Sequence, residues 1–210
     1  MKSTPSKENI LNKIRKALTQ STPLPFPQSE GHSSVFHASQ KELEIAFAEQ
    51  FSKLLGKFVF CLNQDELVNQ LTTLCSHKGW TKIYCPEKFY GALFKEKGFD
   101  FDYKHLATCD AAITGCESLV ARTGSIVMSS AQESGRITSV YAPIHICIAY
   151  THQLVYDVKD ALQKVKEKYP GNLPSLITFA TGPSRTADIE KTLVVGVHGP
   201  KEAYVFLVES

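Results

Sequence analysis

Three segments join glycine turns to side chains able to do chemistry. In DAAITGCESLVARTGSIVMSS, residues 110–130, an apolar run closes at Thr114-Gly115 and Glu117 follows. Thr123-Gly124-Ser125 then opens the next apolar run. A carboxylate just past a strand end faces the crevice where α/β sheets take their ligands. The structural alternative is that Glu117 caps a short turn over residues 116–121.

In ESGRITSVYAPIHICIAY, residues 133–150, Arg136 stands in a polar loop after Gly135. Its rigid fork of donors suits a carboxylate or a phosphate, and solvation or pairing with a nearby acid is the plainer role. His145 falls inside an apolar run and reads as a buried, neutral imidazole. In TGPSRTADIEKTLVVGVHGP, residues 181–200, the turn Gly182-Pro183 leads to Ser184, Arg185 and Thr186. Two hydroxyls and a guanidinium at a helix N-terminus would make an anion site. Arg185 pairing with Asp188 on one helical turn is the competing explanation. His198-Gly199-Pro200 is a tight turn that either shapes a ligand pocket or simply connects strands.

These segments need a scaffold, and the apolar periodicity supplies one. Residues 6–20 read as an amphipathic helix with Ser6 as N-cap and Ile10, Leu11, Ile14 and Leu18 on one stripe. The Pro- and Ser-rich stretch STPLPFPQSEGHSS follows and reads as a linker, so residues 1–38 form a leader and 39–210 the domain. Helices are expected over 39–55, 65–77, 87–97 and 157–169. Strands are expected over 57–62, 82–85, 99–103, 111–114, 125–129, 144–149, 176–179, 193–197 and 204–208. Helices alternating with short, nearly all-apolar strands specify an α/β layered fold with a mixed, mostly parallel sheet. Short connections between 111–114 and 125–129 predict antiparallel hairpins in the second half.

Composition and motifs narrow the function. The chain has 210 residues, 43% hydrophobic and 21% charged, with a net charge of +2, which argues neither for nor against nucleic acid. Six cysteines at 61, 75, 85, 109, 116 and 147 form no C-x-x-C pair, and most sit in apolar runs. They read as reduced thiols of a cytoplasmic protein, and an iron–sulfur cluster held by this chain alone is not expected. No metal-ligand spacing, G-x-S-x-G elbow, P-loop or G-x-G-x-x-G occurs. No apolar leader and no membrane-length apolar run is present.

AITGCESLVARTGSIVMSS, GRITSVYAPIHICI and TFATGPSRTADIEKTLVVGVHGP together resemble the LUD domain of the lactate utilization protein C family, over roughly residues 39–210. The resemblance implies a three-layer α/β/α sandwich of the NagB/RpiA/CoA transferase-like kind. It also implies a cluster-free subunit of a system that oxidises L-lactate to pyruvate, with iron–sulfur clusters on partner proteins. It carries over no catalytic residue. A small-anion pocket would then draw on Thr114, Glu117, Thr123, Gly124, Ser125, Arg136, Gly182, Ser184, Arg185, Thr186 and His198. Two other functions remain open at this point. One is a stand-alone enzyme or binding protein for a phosphorylated sugar, acyl-CoA or folate-like ligand. The other is a non-catalytic scaffold that docks through the N-terminal helix.

Overall fold

The computed structural model describes residues 5–19, 41–101, 103–186 and 194–210. Its contacts divide into two units, Met1–Ala38 and Ser39–Ser210. In the first unit, helix α1 (Pro5–Leu18) begins at a proline, whose fixed φ and missing N–H suit the first helical position. Ser6 therefore lies inside the helix rather than capping it. Ile10, Leu11 and Ile14 are exposed. The expected linker lies outside the described residues.

The second unit begins with α2 (Leu43–Lys53), β1 (Lys57–Cys61), α3 (Gln64–Lys78), β2 (Ile83–Tyr84) and α4 (Lys88–Glu96). Next come β3 (Ala111–Thr114), β4 (Ser118–Val120), β5 (Ser125–Ser129), α5 (Thr138–Tyr141) and β6 (Ile144–Tyr150). It closes with β7 (Leu154–Val155), α6 (Val158–Lys168), β8 (Ile177–Ala180), β9 (Arg185–Thr186), β10 (Val194–Val195) and β11 (Glu202–Val208).

The central sheet has the order β1-β11-β6-β3-β2, and every pairing in it is parallel. Both faces of its inner strands β11, β6 and β3 are buried, which is why these read as apolar runs rather than alternating, while Phe60 on the edge strand β1 stays exposed. On β11, Tyr204, Phe206 and Val208 join Leu67 and Leu71 of α3 and Phe94 of α4. The alternate residues Val205 and Leu207 join Phe47 and Phe51 of α2. The antiparallel pairs lie outside the central sheet: β9 with β10 in a two-stranded ribbon, and β4 with β5 and β5 with β8 in a second sheet, β7-β4-β5-β8. Leu119, Ile126 and Met128 press the inner face of this sheet onto the central sheet. Val120 and Val127 on its outer face receive Ala161 of α6.

Several expectations are corrected. Residues 99–101 and 103 form no strand, while residue 102 lies outside the described residues. Residues 118–120 form β4, so Glu117 precedes a strand and caps no turn. A helical turn, α5, occupies part of the loop expected after Arg136. Arg185 and Thr186 form β9, paired antiparallel with β10, so no helix begins at Ser184. Asp188, the suggested partner of Arg185, and Leu193, the expected start of a strand, lie outside the described residues.

Candidate functional site

All five central strands point their carboxyl ends to one edge. Residues leaving that edge line two cavities that share His152. The smaller, of 280 Å³, is bordered by Glu117, His152, Lys164 and Lys168. The larger, of 660 Å³, is bordered by Asn63, Phe89, Tyr150 and Glu209. An α/β sheet takes ligands in the crevice outside the carboxyl ends of its strands, as a consequence of topology.

Glu117 is the centre of the smaller site. Its side chain is only 2% exposed, yet it is fully supported. Oε1 accepts the Ser129 hydroxyl at 2.6 Å and the Tyr169 hydroxyl at 2.9 Å. Oε2 accepts Lys168 Nζ at 2.8 Å. A buried carboxylate demands such partners, because desolvation without them is prohibitive. Oε1 is thereby filled, while Oε2 keeps one acceptor direction. Burial pulls the Lys168 ammonium down, but the hydrogen bond and charge of Glu117 outweigh it, and the net shift is upward. Lys164 donates to the His152 carbonyl at 2.9 Å. Each lysine carries three donors and spends only part of them on these contacts.

The position of the lysines is set by a clamp. The Arg122 fork grips the Asp157 carboxylate with two 3.0 Å bonds at the head of α6. That pair ties the helix to the second sheet, and Arg122 holds the Asp157 carboxyl below its ordinary range. Asp157 N–H donates in turn to Asp160 Oδ2 at 3.1 Å. Lys164 and Lys168 are then one turn apart on the same helix face.

A second acid stands behind this site. Glu87, three residues past β2, accepts the Gly115 amide at 2.8 Å. Burial pushes its carboxyl upward, the Gly115 amide and Ser134 oppose that, and the nearby charges of Glu133 and Glu117 add to it. Thr114 is fully buried, with its hydroxyl 2.8 Å from His145 Nε2. Burial drives the His145 imidazole down to about 4, so it is neutral, as its apolar strand predicts.

The remaining candidates lie in other places. Thr123, Ser125 and Thr181 form a hydroxyl chain with links of 2.7 and 2.9 Å. Gly124 and Gly182 sit beside it in the left-handed region, at φ 62° and 77°. A Cβ on Gly124 would lie 2.6 Å from the Phe51 amide, and one on Gly182 would lie 2.5 Å from the Leu54 carbonyl. These glycines let the second sheet close on the end of α2. Arg136 is exposed and donates to the Ser175 hydroxyl. Ser184 accepts the Gly196 amide at 2.9 Å through its carbonyl, and its own amide reaches the Pro200 carbonyl at 2.9 Å. Arg185 is exposed on the β9–β10 ribbon, beside Thr186. His198 borders a separate 440 Å³ cavity with Ile137, Val140 and Tyr141. Neither arginine lines the Glu117 cavity.

Sequence reasoning missed Lys164, Lys168, Tyr169, Ser129 and His152. No local signal marks them, because Lys168 meets Glu117 across 51 residues of chain. Glu87 had a signal: an acid directly after Pro86 at a strand end. Among the described residues, no group of three His, Cys, Asp or Glu side chains is placed to hold a metal ion. All six cysteines are unbridged thiols, five of them buried. Among the described residues, no helix is long and apolar enough to cross a membrane.

The parallel central sheet, with helices packed against it, defines an α/β protein. Its family is set by direct comparison. The LUD domain model matches residues 46–208, and the chain belongs to that family. A protein of Anoxybacillus flavithermus named Lactate utilization protein C is 34% identical over 96% of this chain and 97% of its own length. The Lactate utilization protein C of Bacillus subtilis is 28% identical over 84% of this chain and 73% of its own length. Shorter matches include the Lactate utilization protein C of Deinococcus radiodurans, 33% identical over 50% of either chain. For this and three similar relatives the match spans 42% to 50% of the relative's length, about half. The fold resembles the crystal structure of a DUF162 family protein from Deinococcus radiodurans, with a TM-score of 0.60 over 82% of this chain and 99% of that one, at 19% identity.

Proposed function

We propose that this protein serves lactate utilization as the cluster-free component of an L-lactate oxidation system in the cytoplasm. In this reading, iron–sulfur clusters lie on partner proteins. The observation that carries it is the near full-length likeness to the Lactate utilization protein C of Anoxybacillus flavithermus. The smaller cavity fits that role chemically. Its 280 Å³ matches a small acid rather than a sugar phosphate or a coenzyme. The ammonium groups of Lys164 and Lys168 receive a carboxylate. The spare acceptor direction on Glu117 Oε2 receives the hydroxyl proton of a 2-hydroxy acid. Glu117 is thus the group that distinguishes lactate from an acid without the hydroxyl.

Calorimetric titration of the full chain with L-lactate and with propionate tests this. L-lactate binding that Lys168→Ala weakens about tenfold, with propionate weaker still, is expected. Absence of L-lactate binding to the wild type, or equal binding to Lys168→Ala, contradicts it. Affinity capture of the tagged chain from lactate-grown cells tests the partner claim, and recovery of no iron–sulfur protein counts against it.

A further inference from the structure

The 660 Å³ cavity at the carboxyl edge has a chemistry different from that of the Glu117 pocket. We infer that it binds a neutral, planar heteroaromatic ring whose edge donates N–H hydrogen bonds. It is an open groove of 660 Å³ with room for a flat ring. Three rings border it. Phe89, at the start of α4, is 58% exposed. Tyr150 and His152 stack on one another, with centroids 5.8 Å apart and planes 18° from parallel. The Gln64 amide, donating to the Tyr150 hydroxyl at 3.3 Å, steadies that stack. Rings brought to one cavity from two separate strand ends favour a flat π-face.

The polar lining selects the charge of the ligand. Helix α3 begins at this cavity with one of its first-turn amides already capped. Asn63 Oδ1 accepts the Glu66 amide at 2.9 Å, and the Glu66 carboxylate turns back to accept the Leu62 amide at 2.8 Å. Lys97 is already paired with Asp65 at 2.5 Å. Glu209, just past β11, borders the cavity, and its carboxylate has no hydrogen-bond or ion-pair partner among the described residues. Two carboxylates, Asp65 and Glu209, against the single lysine of this lining, Lys97, disfavour phosphate, and the free Glu209 acceptor suits an N–H edge.

Isothermal titration of the full chain with riboflavin and adenosine, and with their phosphorylated counterparts FMN and AMP, tests the inference. At least one unphosphorylated probe is expected to bind with a Kd below about 1 mM. Its phosphorylated counterpart binds about fivefold weaker or worse, and Phe89→Ala weakens the unphosphorylated probe about tenfold. Glu209→Gln also weakens it, whereas Lys168→Ala leaves it unchanged, so failure here is separable from failure of the lactate pocket. Far-ultraviolet circular dichroism checks that the exposed substitutions leave the fold intact. The inference is overturned if neither unphosphorylated probe binds, if the phosphorylated forms bind tighter, or if Phe89→Ala has no effect.

Discussion

Acidification should loosen the strand pair that carries the Glu117 turn. His145 on β6 is fully buried, its Nε2 2.8 Å from the Thr114 hydroxyl at the end of β3. Burial lowers its imidazole from 6.5 to about 4. In the unfolded chain the same imidazole is exposed and takes up a proton near its ordinary value. Between the two values the unfolded state therefore binds more protons than the folded one, and stability falls as pH falls. Lowering the pH from about 7.5 to about 5 costs about 2 kcal/mol from this residue alone, rising to about 3 kcal/mol below the folded value. Glu87 acts with the opposite sign. Its carboxyl is raised in the folded state, so its share of stability grows on acidification and partly masks the effect of His145. The clean measurement is thus a difference. Urea unfolding of wild type and His145→Gln across this range, followed by circular dichroism, should show the wild type losing about 2 kcal/mol more than the variant. Equal losses in the two proteins would refute the argument, because His145 would then carry no buried, neutral imidazole.

Other outcomes follow from the same structure. Gly124→Ala and Gly182→Ala each place a Cβ within 2.6 Å of backbone, in α2 at Phe51 and at its C-cap Leu54, at positive φ, so each should lower unfolding stability by about 2 kcal/mol or more in urea titration. Lys168→Ala should cost about 1 kcal/mol, since Glu117 loses its charged partner but that partner is half exposed and Ser129 and Tyr169 remain; thermal melting reads it. Removing residues 1–38 should leave the melting transition of residues 39–210 in place, while pull-down of partners from lysate is lost if α1 is the docking element.

The central sheet was legible because its inner strands are buried on both faces. Runs such as IHICIAY and EAYVFLV have no polar phase and can only be interior strands of a parallel sheet. The second sheet was not legible as a separate body. β5 pairs with β8, joining Val127 to Phe179, and nothing local to either strand names that partner. The same limit hid half of the site. Glu117 announces itself as an acid past a strand end, whereas Lys168 and Tyr169 stand at the end of a helix 51 and 52 residues further on, with nothing local to tie them to it. Arg185 shows the opposite error. SRTAD has the look of a helix start, yet β10 competes for the backbone of Arg185 and Thr186 and wins, closed by Gly196 at φ 78°.

Growth on L-lactate as sole carbon source, in a strain lacking this gene and complemented by wild type or by Glu117→Gln, tests the central claim most directly. Gln keeps the shape of the side chain but removes the charge that holds Lys168 and the acceptor that meets a hydroxyl proton. The account predicts no growth in the deletion strain, recovery with wild type and failure with a stably expressed Glu117→Gln protein. Growth of the deletion strain, or full rescue by Glu117→Gln, would contradict it.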